Sequence, residues 1–343
     1  MNLARSSKLI HKIGNPITTP LLVPSFSSKG LGFIPFDEKF GFSKTEKKHQ
    51  ISEANQIIRT SSTVITDTAL VSAFDVAQGF IAPPEGSSLN VELMFVDSGG
   101  YETSNYYDLS ELFEGPPYKH DWNKEKHLEV LRKWPKHIPS VFISFDQNIK
   151  YPEQIEDAQK LSAEFPDQLS TFLIKPEKPG NKNIPLKSIL PNIQELKHFD
   201  IIGITEKELG HTIIKRMMNL AEFRIDLDKA GITAPIHVFG SLDPITTCLY
   251  FLAGAEIFDG LTWSRMSYCD GMATYKANNG AIKYGIHVSD DMVKVRTLSD
   301  NIYYLNNLQV KMQEFAKTGD FAVFPHHKEF LQESYNTLIS KLK

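Results

Sequence analysis

Eight short apolar runs, each stopping at a polar residue, punctuate the chain between Pro20 and Trp263. They are PLLVPSF (Pro20–Phe26), TVITDT (Thr63–Thr68), LMFVDSG (Leu93–Gly99) and SVFISFD (Ser140–Asp146), then STFLIKP (Ser170–Pro176), DIIGIT (Asp200–Thr205), PIHVFGS (Pro235–Ser241) and EIFDGLTW (Glu256–Trp263). The runs are continuous rather than alternating, which is the pattern of strands covered on both faces of a parallel sheet. Helix-like segments separate most of them. Lys207 to Ala230 carries Ile213, Ile214, Met217, Met218 and Ala221 at helical spacing before Gly231 stops it, and Gln154–Glu164 and Asp243–Ala253 read the same way. Strand–helix repeated eight times over roughly 250 residues predicts an α/β chain folded as a (β/α)8 barrel. An open doubly wound sheet is the alternative. Neither G-x-G-x-x-G after a strand nor G-x-x-x-x-G-K-[ST] occurs.

The expected organisation is one domain over residues 1–343, with the barrel at about 20–284 and closing helices at about 298–343. Tyr101 to Trp122, after the third strand, is long and aromatic-rich, and reads as a lid, a substrate wall or a packed surface excursion. The N-terminus, with basic residues but no apolar core, reads as a frayed end or a short basic arm rather than a secretory signal. No apolar run reaches the roughly 18 residues that span a bilayer, so no membrane association is expected. Two cysteines, Cys248 and Cys269, make no disulfide framework and fit a reducing, cytoplasmic setting. A net charge of −4 argues against general affinity for polyanions but leaves room for a local basic face. The best candidate for one is Lys124, Lys126, Arg132, Lys133, Lys136 and Lys150; a solvated helix face is the plainer reading.

A barrel places its chemistry at the C-terminal ends of its strands. Those predicted ends hold Asp67, Asp97, Asp146, Lys175, Thr205, Glu206, Ser241 and Asp259. Asp97, Asp146 and Asp259 each follow directly on apolar residues. A carboxylate there is expensive to bury unless it is paired or has a task. One alone reads as a cap or turn residue; three on one rim read as a site.

From about Pro20 to Phe324 these residues resemble the tRNA-guanine transglycosylases and their DNA-modifying relatives. FVDSGGYE (Phe95–Glu102) is similar to the family's Asp-Ser-Gly-Gly-aromatic motif, and ISFDQN (Ile143–Asn148) to its second base-binding motif. IIGITEKE (Ile201–Glu208) resembles the glycine-rich base-binding loop. HVFGSLDP with GAEIFDGLTWSR resembles the stretch carrying the nucleophile, in a form closer to the archaeal branch that inserts a 7-deazaguanine precursor (preQ0). Asn301–Phe324 resembles the last barrel helix and the turn after it.

The resemblance implies an enzyme, a pentosyltransferase that exchanges guanine in a polynucleotide for a 7-deazaguanine base through a covalent aspartyl-ribose intermediate. Asp259 would be the nucleophile and Asp97 the general acid/base. Asp146 would read the donor edge of the purine. Ser98, Gly99 and Gly100 would contact substrate, Gly203, Ile204 and Gly240 would line the base slot, Glu208 would hold the loop, and Arg265 would face the polynucleotide. The chemistry suits these groups: a carboxylate traps an oxocarbenium-like centre covalently, and an ionised carboxylate accepts neighbouring N–H donors.

Three departures are visible. The family's structural zinc site needs three cysteines and a histidine, whereas MSYCDGMATYKANNGAIKYG holds only Cys269, so no zinc and no other cofactor is expected. The Gln-Gly pair expected after the fifth strand is Lys175–Pro176, with Lys175 a candidate contact to a phosphate or a ring oxygen. The chain also ends soon after the barrel, without the extra RNA-binding domains of the archaeal enzymes. The second and third points bear on the substrate, and the loss of zinc and of those domains favours DNA slightly over tRNA as partner. The alternatives are a tRNA enzyme proper, a non-catalytic partner subunit of such an enzyme, and an unrelated two-carboxylate glycosidase. A homodimer through the tail helices is a further expectation of the resemblance, with core packing of those helices the alternative.

Overall fold

The computed structural model describes residues 3–34, 51–104 and 120–342. Eight parallel strands close into a barrel: β1 (Leu21–Phe26), β2 (Thr68–Ser72), β3 (Leu93–Asp97), β4 (Ser140–Ile143), β5 (Leu169–Ile174), β6 (Ile201–Thr205), β7 (Ile236–Phe239) and β8 (Ile257–Gly260). Each pairs in parallel with its sequence neighbours, and β8 returns to β1 with Asp259 beside Val23. The (β/α)8 expectation holds.

Every strand is apolar on both faces for the reason the continuous runs suggested. One set of side chains fills the barrel: Leu21, Val23, Leu70, Leu93, Phe95, Val141, Ile143, Leu169, Leu173, Ile201, Phe239 and Ile257 pack into a single inner cluster. The alternate set faces the helices and forms the larger outer core. Below the inner cluster lies a two-stranded N-terminal hairpin, Lys8–Leu9 against Ile17–Thr18, whose Leu9 is buried among the barrel's own leucines. The N-terminus is therefore neither frayed nor a free basic arm, because Leu9 and the edge pairing anchor it.

The helical layer differs from the sequence reading in two places. The connection from β5 to β6 is a run of tight 3-10 turns (Leu186–His198) rather than an α-helix. Pro191 lies inside this segment and cannot donate an i→i−4 bond. The long helix Asp290–Thr318 begins well before the expected Leu298 and takes the eighth helical place, between Glu53–Ser61 and Pro244–Leu252. Its Leu298, Ile302, Leu305, Leu308 and Met312 are buried, and Leu331 and Leu338 of the last helix, Lys328–Leu342, are buried too. These stripes are core. No helix among the described residues is long and apolar enough to cross a membrane.

One strand was misplaced by the sequence reading. The second strand is Thr68–Ser72, not Thr63–Thr68. Asp67 consequently precedes it, at the opposite end of the barrel from the other candidate carboxylates, where its carboxylate accepts from Thr66 Oγ1. It is removed from the candidate site.

Candidate active site

Inward-facing positions at the tops of the strands carry polar groups in place of the aliphatic layer below. The sequence alternates to produce this: Leu21, Val23, then Ser25; Leu93, Phe95, then Asp97; Leu169, Leu173, then Lys175; Ile257, then Asp259. Together they enclose a cavity of about 940 Å³, mouth included, lined by Asp97, Asp146, Lys175, Gly240 and Asp259 among the expected residues. Leu70, Leu173, Phe239 and Tyr101 supply its apolar walls.

Asp259 is buried on β8 and carries three donors. Oδ2 accepts from Ser25 Oγ at 2.7 Å, and Oδ1 faces His237 Nε2 at 3.0 Å and the Gly240 amide at 3.3 Å. Asp97 has a different setting. Its Oδ2 accepts a hydrogen bond from the Gly99 amide, at 3.3 Å. Burial, then the charges of Glu102, Asp146 and Asp259, raise its carboxyl to about 7. Glu102 itself is buried, accepting from Ser27 Oγ and, at 2.9 Å, from Ser72 Oγ; burial raises it too. Behind it, Asp75 takes the Ser28 amide at 2.8 Å and is raised well above the usual carboxylate range by burial and by Glu102.

The floor beyond β4 and β5 is ionic. Lys175, almost wholly enclosed, places Nζ 2.8 Å from Glu208 Oε1, 3.3 Å from Asp146 Oδ2 and 3.4 Å from Thr205 Oγ1. Glu208 therefore holds the loop through Lys175, and Lys175 contacts two carboxylates. Lys207 lines the same cavity, lowered to about 7 by burial and by Lys175. Glu206, also in the lining, accepts from Tyr250 Oη at 2.8 Å and meets Arg216 at 3.4 Å.

The Asp-Ser-Gly-Gly turn is built for close packing. Gly99 has φ +90°, and a Cβ there would lie 2.5 Å from Phe74 Cβ. At Gly100 a Cβ would lie 2.3 Å from Asp146 Oδ2. Ser98 is buried behind the turn, where its Oγ accepts from the Asp146 amide at 3.2 Å and its carbonyl accepts from Trp122 Nε1 at 2.8 Å. These three residues brace Asp146 and the turn against the protein.

Two expected slot residues lie elsewhere. Ile204 belongs to the outward set of β6, so its side chain enters the layer between barrel and helices. Gly203 faces inward, but a Cβ there would lie 2.5 Å from Phe239 Cε2, so its smallness makes room for that ring. Ser241 is buried outside the lining. Arg265 stands at the rim, donating to Tyr101 Oη at 3.3 Å and to the Lys29 carbonyl at 3.0 Å. Lys29 in turn donates to the Tyr101 and Ser104 carbonyls and lies 4.4 Å from the centroid of the Tyr101 ring. Tyr106 and Tyr107, in the aromatic-rich stretch after the third strand, fall outside the described residues. Three of the six residues of the expected basic face are ion-paired: Lys124 with Asp157, Lys126 with Asp121, and Arg132 with Glu125 and Glu164.

Sequence reading missed Ser25, Lys29, Asp75, Glu102 and His237. Ser25 and His237 carried a readable signal, a polar residue on the inward phase of an apolar run. In the stretch that the resemblance would assign to a zinc site, Cys269 Sγ faces Asp270 at 3.5 Å, and Cys248 is buried with its thiol pushed up to about 12. Among the described residues no group of three or more His, Cys, Asp or Glu side chains is placed to hold a metal ion. A single accessible thiol does not fit a three-cysteine zinc site. Comparison of the chain with protein-family models and with curated proteins finds no match.

Proposed function

We propose that this protein is a guanine transglycosylase, exchanging a guanine of a polynucleotide for a guanine-like or 7-deazaguanine base through a covalent Asp259–ribose intermediate. The observation that carries the reading is the unequal pair of carboxyl groups in one cavity. Burial and the charge of Glu102 raise the Asp97 carboxyl to about 7, whereas Asp259 has three hydrogen-bonding groups, Ser25, His237 and the Gly240 amide, on its two oxygens. Exchange at C1′ needs one proton-carrying acid for the departing base and one carboxylate nucleophile. The two are near enough for Asp259 to be among the charges that raise Asp97.

Asp146 and Lys175 support a base rather than a sugar as the occupant. A carboxylate accepts N–H groups and an adjacent ammonium donates to a carbonyl, which together match the O=C–N–H edge of a guanine-like ring. The apolar walls of Phe239, Leu70 and Leu173 suit its faces. A base enters only after leaving its stack, at about a few kcal/mol. Two successive displacements give net retention at C1′.

The test is base exchange. Labelled guanine and labelled 7-cyano-7-deazaguanine are offered with bulk tRNA and, separately, with duplex DNA, to the wild type and to Asp259→Asn. Label entering either polymer with the wild type but not with the folded variant supports the reading, and the polymer labelled identifies the substrate. Exchange by Asp259→Asn at the wild-type rate removes the nucleophile. Absence of label throughout removes the function.

A further inference from the structure

Beneath the cavity a histidine packs between Phe95 and Phe239. His237 is fully buried on β7. Its ring stacks on Phe239 with centroids 3.8 Å apart and meets Phe95 edge-on at 5.6 Å. Nε2 lies 3.0 Å from Asp259 Oδ1, while Nδ1 has no hydrogen-bond partner among the described residues. Leaving a buried nitrogen unpaired is destabilising. An aromatic hydrocarbon would fill the same layer without that cost. What the imidazole adds is its one hydrogen bond to Asp259. As a nucleophile Asp259 has no proton to give, so Nε2 carries the hydrogen and donates.

The two oxygens of Asp259 are held unequally. Oδ1 has a donor fixed by aromatic packing and, at 3.3 Å, a backbone amide. Oδ2 has the Ser25 hydroxyl at 2.7 Å, a donor that turns about its own C–O bond. We propose that His237 is a positioning residue that fixes Oδ1 as the charge-holding oxygen of Asp259, so that Oδ2 is the atom that bonds to ribose C1′. This inference rests on the exchange reading.

The electron count closes. A lone pair of Oδ2 forms the bond to C1′ as the C1′–N9 bond breaks. The electrons of that bond leave with the base, which takes the proton of Asp97. Oδ1 becomes the carbonyl oxygen of the glycosyl ester and keeps the His237 N–H. In the return half, N9 of the incoming base bonds to C1′ and loses its proton to Asp97. The ester electrons return to Oδ2, and the restored carboxylate charge is again held on Oδ1. His237 exchanges no proton in either half. It therefore acts on turnover and leaves base binding nearly unchanged.

The experiment measures exchange of labelled guanine into whichever of bulk tRNA or duplex DNA the wild type labels, using His237→Phe, His237→Gln and Ser25→Ala, each normalised to its folded fraction by thermal melting. His237→Phe fills the ring space without a donor. It is expected to lower kcat about 10²-fold, the usual scale for removing one preorganised donor, with KM for guanine changed less than about threefold. His237→Gln, whose amide restores an N–H, is expected to recover about tenfold of that loss. Ser25→Ala is expected to lower kcat less than His237→Phe does. Full kcat in His237→Phe overturns the proposal and leaves the exchange reading standing. Equal losses in the Phe and Gln variants that track a fall in melting temperature overturn it as well, since a purely structural role behaves so. A larger loss in Ser25→Ala than in His237→Phe assigns the attack to Oδ1 and overturns it. Absence of exchange by the wild type itself removes the exchange reading, and this inference with it.

Discussion

A methyl group on Gly100 would lie 2.3 Å from Asp146 Oδ2 and 2.6 Å from its Cβ. The second glycine of the turn after β3 is thus a recess for the carboxylate arriving from the loop after β4. Gly100→Ala is expected to leave the barrel folded and to displace Asp146. On the exchange reading, misplacing Asp146 by about 1 Å lowers turnover on the order of 10²-fold, which an exchange assay with labelled guanine checks. Gly99→Ala behaves differently. Its φ of +90° and its contact with Phe74 make it a stability variant, destabilised by about 1–3 kcal/mol in urea unfolding.

Lys175 is nearly inaccessible and stands between Glu208 and Asp146. Lys175→Met leaves two enclosed carboxylates without their cation. Breaking such a buried pair costs about 3–5 kcal/mol. Lys175→Met combined with Glu208→Gln is expected to recover a measurable part of that loss, because one of the stranded charges is then gone. Equilibrium urea unfolding of the single and double variants checks this.

Asp97 carries a raised carboxyl, at about 7 in the fold against an ordinary value of 3.8. The unfolded chain then binds fewer protons than the folded one between those values, so the group's contribution to stability is fully present below about pH 4 and is lost as pH rises to about 7. Asp97→Asn is expected to unfold at a higher temperature than wild type at pH 7, with the advantage vanishing near pH 4. Glu102 and Asp75 are shifted in the same direction and steepen the same decline. On the exchange reading, base departure in the wild type falls as pH rises through about 7, because the acid has then lost its proton.

Gly203 leaves room for the Phe239 ring, which a Cβ would approach to 2.5 Å. Gly203→Ala is expected to destabilise the barrel by about 1–3 kcal/mol through overpacking. It also tilts the ring that stacks on His237. A fall in exchange accompanying the lower melting temperature checks the second effect.

The barrel was legible because its strands are covered on both faces, and continuous apolar runs are how such strands are written. The second strand was misplaced for a physical reason. TVITDT is rich in β-branched residues, yet Thr68–Ser72, with Ala69 and Leu70, is the segment buried on both faces. Local preference yielded to burial. Asp97, Asp146, Lys175 and Asp259 were legible as polar residues closing apolar runs. His237 was readable only through strand parity, as a polar residue on the inward phase of its run, and Glu102 was hidden in turn chemistry. The placement of Ile204 and Gly203 follows from strand parity, which a motif does not state. The roles of Ser98, Gly99 and Gly100 as braces depend on Trp122, Phe74 and Asp146, all distant in sequence.

The N-terminal hairpin has a consequence for traffic. With Leu9 packed among Leu21, Leu93 and Leu169, the lower end of the barrel is stoppered by the chain's own beginning. Among the described residues the site opens at the strand tops, away from this hairpin. On the exchange reading, the departing and the incoming base share that one cavity. On the exchange reading, guanine released in the first half therefore competes directly with the incoming base for the same vacated seat. The ratio of the two in solution, as much as any affinity, then sets how far exchange proceeds.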